Sequence, residues 1–215
     1  IHGQARNLSR IIEFADLPAR PARRLILQEV VHCQEPPGSV ADAPDADASL
    51  DVLLRAVRLK LSFPERVFFL LGNHDLAEIT GQEITKGGRG ACRAFAAAVE
   101  ASFAQQAGEV RDAVCRFLRA LPLAARCPNG MCMTHSLPSP GRMNLIDWQV
   151  LQRPYRPEDF RRGGSVYEWT WGRGHTAAQL EHIAQRLGVR QFLLGHQPLR
   201  RGYDVRHRRA VVLDS

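Results

Sequence analysis

Apolar residues return at helical spacing in several stretches of this chain and bunch into short continuous runs in others. Leu8, Ile11, Ile12 and Phe14 predict an amphipathic helix over Gln4 to Ala15, packed on a sheet. Ser49 reads as the N-cap of a helix to about Leu61, with Leu50, Leu53, Leu54, Val57 and Leu61 on one face. Further helical patterns cover Ala91 to Gln106, Glu109 to Ala120 (ended by Pro122) and Thr176 to Leu187, with Gly188 as the stop. The continuous runs Arg24 to Val31, Val67 to Leu71, Gln191 to Leu194 and Ala210 to Leu213 predict buried strands. Leu123 to Cys127 and Met131 to Thr134, flanking Asn129-Gly130, predict a β-hairpin. Between these lie an exposed loop over Gln34 to Ser49, a loop at Gly72-Asn73-His74 and a flexible link at Gly87 to Gly90. Pro138 to about Gly164 reads as loop with short helical turns. Strands alternating with helices give an α/β class.

The 215 residues, 45% of them hydrophobic, suffice to bury one sizeable core, so a single domain over 1–215 is expected. No apolar run reaches the length of a membrane span. Five cysteines without a C-x-x-C pair point to reduced thiols and a cytoplasmic setting, and Cys33 reads as an inert thiol. The net charge of +7 comes from scattered arginines. Its densest group, Arg200, Arg201, Arg206, Arg208 and Arg209, has only Tyr203 as an aromatic neighbour, so no nucleic-acid stacking platform is expected.

Chemistry concentrates just past the apolar runs. Leu71-Gly72-Asn73-His74-Asp75, Thr134-His135-Ser136 and Leu194-Gly195-His196-Gln197 each put an imidazole or carboxamide beyond a strand, and Ile1-His2-Gly3-Gln4 adds another histidine. Open α/β sheets gather ligands at that edge. Any one of these histidines is ordinary; the ordered set suggests a metal centre. His32, His175, His182 and His207 read as ordinary histidines, and Trp169 and Trp171 as packing residues.

The order of these fragments resembles the calcineurin-like metallophosphoesterases, most closely the phosphoprotein (Ser/Thr) phosphatase branch and its bacterial relatives. Ile1-His2-Gly3-Gln4 is similar to the end of that family's Asp-x-His-Gly motif. The aspartate would fall just before Ile1, and Val211 to Ser215 looks like a strand cut short, so trimming at both ends is expected. Gln28 to Cys33 stands where the family has Gly-Asp-x-x-Asp-Arg-Gly. Glu29 takes the place of the bridging aspartate, His32 that of the aspartate orienting the catalytic histidine, and Cys33 that of an arginine. Gly72-Asn73-His74-Asp75 matches Gly-Asn-His-Glu/Asp, and His135 and Gly195-His196-Gln197-Pro198 match the remaining metal motifs. Arg173 is placed like a phosphate-binding arginine.

The resemblance implies a four-layer α/β/β/α sandwich with two mixed sheets and a helical insert at about 90–121. It implies two divalent ions (Mn, Fe or Zn) roughly 3.5–4 Å apart. His2, Glu29, Asn73, His135 and His196 would hold them. His74 would be the general acid, oriented by His32 or Asp75, and Arg173 would hold phosphate. The implied function is hydrolysis of phosphomonoesters, on phosphoserine or phosphothreonine proteins or a small phosphoester. Two alternatives stay open: hydrolysis of a dinucleoside polyphosphate or pyrophosphate at the same centre, and a degenerate site that binds phosphorylated partners without turnover. Glu29, His32 and Cys33 motivate the latter.

Overall fold

A computed structural model describes residues 1–33, 48–86 and 89–214. Most of the expected loop at 34–49, and residues 87 and 88 of the glycine link, lie outside that description. The chain divides into two compact units, one of Ile1–Phe69 with Ala77–Ala120, the other of Leu70–Leu76 with Leu121–Ser215. Helices and strands are mixed in both, as the α/β reading expects.

The first unit begins with α1 (Ala5–Ala15), which buries Leu8 and Ala15. Phe14, expected on the packed face, is 80% exposed; its ring instead lies under the Arg23 guanidinium, 5.4 Å away. Strand β1 (Leu25–Gln28) stops earlier than the apolar run: Glu29, the next residue, takes a positive φ (+50°) that breaks the extended backbone. Helix α2 (Ser49–Ser62) starts at Ser49, with Ala48 as its N-cap, correcting the expected serine cap. The Ser49 side chain is fully buried where Gly3 comes close: a Cβ on Gly3 would sit 2.3 Å from the Ser49 Cβ. The buried stripe of α2 is Leu50, Val52, Leu53 and Ala56, and Leu61 is exposed in the last turn.

Strand β2 (Val67–Leu70) pairs with β1 in a two-stranded sheet. Helix α3 (Asn73–Thr80) follows at once, where a loop was expected. Asp75 makes this possible: its Oδ2 accepts the Gly72 N–H at 2.8 Å, pinning the turn that opens the helix. Strands β3 (Thr85–Lys86) and β4 (Arg89–Gly90) form a short antiparallel pair where a flexible link was read. Helices α4 (Ala91–Phe103) and α5 (Ala107–Arg119) then pack Phe95, Val99, Val114 and Leu118 inward. Each large side chain so buried contributes about 1.5–3 kcal/mol. Phe117 of α5 meets Phe69 of β2 edge-on, 5.3 Å between centroids.

The second unit is built on a five-stranded mixed sheet, order β5-β6-β7-β9-β8. The expected hairpin is present as β5 (Ala124–Arg126) and β6 (Met131–Thr134), with Asn129 Oδ1 accepting the Met131 N–H and Gly130 at φ +82° in the turn. Three 3-10 turns, Pro140–Leu145, Trp148–Leu151 and Pro157–Phe160, occupy the stretch read as loop. Arg153 ties the second and third together by binding both Asp147 (2.7 Å) and Asp159 (2.6 Å), which keeps both carboxyls below their usual range.

Helix α6 (Ser165–Trp171), which the pattern did not mark, buries Trp169 completely. Helix α7 (Ala177–Leu187) is capped by Thr176 and stopped by Gly188 at φ +62°, as expected. Strand β7 (Gln191–Gln197) pairs in parallel with β6 and with β9 (Ala210–Asp214), and β8 (Tyr203–Arg206), also unmarked, lies antiparallel to β9. Among the described residues no helix is long and apolar enough to cross a membrane. No disulfide joins the five cysteines.

Candidate functional site

Parallel pairing sets Thr134 beside Leu194, so the carboxyl ends of β6 and β7 lie on one edge. His135 follows the first directly. On the second, the register slips between Leu194 and Gln197, and His196 takes φ +69° inside this bulge. Bulges re-aim side chains in this way. The Gly195 N–H donates to the His135 carbonyl at 3.0 Å and locks the two loops together. Asn73, the first residue of α3, completes the edge.

The result is a buried triangle. Asn73 Oδ1 lies 2.8 Å from His135 Nε2 and 2.9 Å from His196 Nδ1, and the two ring nitrogens are 3.1 Å apart. No placement of protons suits all three contacts. The carboxamide oxygen only accepts. If one ring nitrogen carries a proton, the other faces Oδ1 lone pair to lone pair. If both carry one, the two N–H groups oppose each other. A cation satisfies all three donors at once, so the residues present fit a metal. His135 is suited to this role, because burial, aided by the nearby Arg173 charge, pushes its pKa down to about 3 and keeps the ring neutral.

Arg173 is exposed, but its Nε donates to His196 Nε2 at 2.9 Å. That contact leaves the ring proton on Nδ1, inside the triangle. Arg173 is itself placed by Gly172, whose Cβ position would fall 1.9 Å from the Leu137 carbonyl oxygen, and by a hydrogen bond from its own N–H to Ser139 Oγ (3.1 Å). Ser136 Oγ donates to the Gly172 carbonyl at 2.6 Å, tying the His135 loop to the Arg173 loop. The Trp171 ring meets His196 edge-on at 5.9 Å. His175 is a structural pin, with Nε2 against the Leu137 carbonyl at 2.9 Å. His74 and Asp75, in the first turn of α3, are both buried.

In the first unit, His2 Nε2 and Glu29 Oε2 are 3.1 Å apart, both buried, and the His2 N–H donates to the Glu29 carbonyl at 2.7 Å. His32 is fully buried, with Nε2 3.2 Å from Glu78 Oε2. The structure thus joins His2 to Glu29, and Asn73 to His135, His196 and Arg173. Glu78 escaped the sequence reading because no element was assigned between the Gly72-Asn73-His74 loop and Gly87, where α3 in fact runs. Of the eight non-glycine residues at positive φ among the described residues, four are expected site residues: His2, Glu29, His32 and His196. Such backbone costs of order 1–3 kcal/mol each and gathers where function requires it.

No family model matches the chain, and no curated protein matches it. Solved structures do. A protein serine/threonine phosphatase from Saccharomyces cerevisiae is similar over 98% of this chain and 76% of its own, with 14% identity and a TM-score of 0.58. The cold-active protein-tyrosine phosphatase of a psychrophilic Shewanella species is similar over 100% of this chain and 68% of its own, with 14% identity and a TM-score of 0.58. The chain therefore has a fold like that of these phosphatases, in keeping with the α/β class read from the sequence.

Proposed function

We propose that this protein is a metal-dependent phosphoesterase that hydrolyses phosphomonoesters, on phosphoserine or phosphothreonine proteins or on a small phosphoester. The observation that carries the reading is the Asn73–His135–His196 triangle, a donor set that protons cannot satisfy, on a phosphatase-like fold. In this reading residues 1–215 are a single metallophosphoesterase domain of the four-layer class, with its helical insert at about 90–121. Asn73, His135 and His196 would hold one divalent ion and His2 and Glu29 would serve the other, with Glu29 in the place of the family's aspartate. Imidazole, carboxylate and carboxamide donors suit Mn, Fe or Zn. When bound, the two ions supply an activated water and the positive charge that clamps a phosphoryl group.

The chain's own residues supply the rest. His74 donates a proton to the leaving oxygen, with Asp75 or His32 setting its orientation. For His196 to serve as a ligand through Nδ1, its ring proton must move to Nε2. Arg173 then loses its acceptor and is released to form charge-assisted hydrogen bonds with phosphate. Neither a membrane nor a nucleic acid is part of this proposal, and a cytoplasmic setting suits five cysteines that form no disulfide.

The test is manganese-dependent hydrolysis of p-nitrophenyl phosphate. The expected result is turnover that disappears with chelator and falls about 10²–10⁴-fold in His74→Asn. An enzyme inert with manganese, iron and zinc alike would sink the proposal and leave a phospho-partner binding module as the better reading.

A further inference from the structure

A second group of metal-ligating side chains lies wholly within the first unit. His32, Glu78 and Cys92 place their donor atoms within 4.8 Å of one another. His32 and Glu78 are buried and Cys92 is half-buried. They come from three separate elements: the turn after β1, the middle of α3 and the first turn of α4. We propose that these three residues form a distinct site for one borderline-soft divalent cation of the zinc class. The inference does not depend on the phosphoesterase reading; where both hold, His32 is a ligand here and Asp75 is left to orient His74.

The geometry around each residue supports a built site. The His32 backbone sits at φ +62°, a conformation a histidine adopts only when its surroundings hold it there. Its Nε2 faces Glu78 Oε2 at 3.2 Å, and its ring lies edge-on to Phe95, one helical turn along α4 from Cys92, with centroids 6.1 Å apart. Cys92 is fixed by the start of its helix: Glu83 Oε1 accepts the Cys92 N–H at 2.8 Å, and Glu83 Oε2 accepts the Arg93 N–H at 3.2 Å. The second carboxylate thus orients the backbone that carries the thiol.

The chemistry selects the ligand. Imidazole, carboxylate and sulfur donors together favour zinc over manganese, magnesium or calcium, which prefer oxygen. Three protein donors leave one position open to water or another small ligand, which is how exchangeable zinc sites are made. A nucleophilic or redox role for Cys92 is a poor fit, because burial and the charges of Glu78 and Glu83 push its thiol up to about 12. Those same negative surroundings favour a divalent cation in place of the proton, and a coordinating thiol is deprotonated outright. Cys92 and Cys115 both turn Sγ toward a backbone carbonyl at 3.8 Å, that of Gln82 and that of Glu78, but only Cys92 belongs to the three donors.

The donors proposed for the phosphoesterase centre include no sulfur, so a sulfur signature reports on this site alone. The experiment is titration of the metal-free whole chain with cobalt(II), watching the near-ultraviolet thiolate-to-cobalt charge-transfer band, in the parent, Cys92→Ser and Cys115→Ser. The expected result is a band that grows to the intensity of one thiolate bond to cobalt in the parent and in Cys115→Ser, whatever further cobalt binds at sites without sulfur, is lost in Cys92→Ser, and is abolished by excess zinc. A parent with no such band overturns the proposal, as does a band that survives in Cys92→Ser. Thiol alkylation of the parent, mapped by mass spectrometry, gives a check that needs no variant. Zinc should slow modification of Cys92 at least tenfold relative to Cys115, and equal rates with and without zinc count against the site. Phosphatase activity plays no part in either readout, so the failure of one proposal leaves the other standing.

Discussion

The His2–Glu29 pair of the first unit and the Asn73–His135–His196 triangle of the second are both buried clusters of potential ligands, but they differ in what can satisfy them. His2 and Glu29 are a base and an acid, and one shared proton makes their 3.1 Å contact a charge-assisted hydrogen bond. The triangle has only neutral donors, and some contact is always left opposed whatever the protons do. A histidine–carboxylate pair can therefore rest without a metal, while a carboxamide between two imidazoles would need a cation to satisfy every contact. The lesson is that metal-site character lies less in the number of ligating residues than in whether protons can substitute for the ion.

The largest expected effect breaks the second cluster. His196→Ala should lower manganese-dependent phosphatase turnover by more than about 100-fold, since even residues that only support a ligand cost 10–100-fold. A variant within tenfold of the parent would remove the triangle from the catalytic centre. Next come the glycines that let each region close. Gly172→Ala would drive a methyl into the Leu137 carbonyl, and Gly3→Ala would force one against Ser49 on a backbone already at φ +60°. Each should cost about 3 kcal/mol in urea unfolding, and a loss under 1 kcal/mol would show that these approaches relax freely.

A smaller effect sharpens the contrast between resting states. Arg173→Ala should raise KM for an aryl phosphate by roughly tenfold, the equivalent of one lost charged hydrogen bond of about 1.5 kcal/mol. It should also tighten manganese binding in calorimetry, because the guanidinium no longer holds the His196 proton on Nδ1. An unchanged manganese affinity would mean that Arg173 and the metal do not compete. The smallest is a pH effect. Burial lowers the pKa of His175 below its ordinary 6.5, so the folded ring takes a proton less readily than the unfolded one. This contribution is fully present above pH 6.5 and is lost as pH falls from there toward the lowered folded value. The drop in melting temperature between pH 7 and pH 5 should be smaller in His175→Gln than in the parent; equal drops would assign the acid sensitivity elsewhere.

Much of this was legible from local pattern. The periodicities of α1, α2, α4, α5 and α7, the Asn129-Gly130 hairpin and the Gly188 stop are short-range signals, and each appears within a few residues of its expected place. The misses also have local causes. Asn73 to Thr80 follows a strand so closely that its helical start was read as loop, because the Asp75 cap is a contact that residue type alone does not announce. Strand β8, Tyr203–Arg206, is largely exposed and so carries no apolar run to betray it. Phe14 and Leu61 fit a helical stripe but turn out to be exposed, since periodicity gives a direction around an axis and not the extent of what packs there.

By itself the sequence determined which chemical groups stand at the ends of which strands, because strand, turn and cap preferences act over a few residues. Only the tertiary structure decided that Asn73, His135 and His196 meet, across 62 and 123 positions of chain, through a parallel β6–β7 pairing and a bulge. It alone decided that His32 faces Glu78 and Cys92, and that Arg173 holds the His196 ring. Side-chain convergence over such separations is set by register, backbone strain at positive φ and close packing at single glycines, and none of these leaves a periodic trace in the chain.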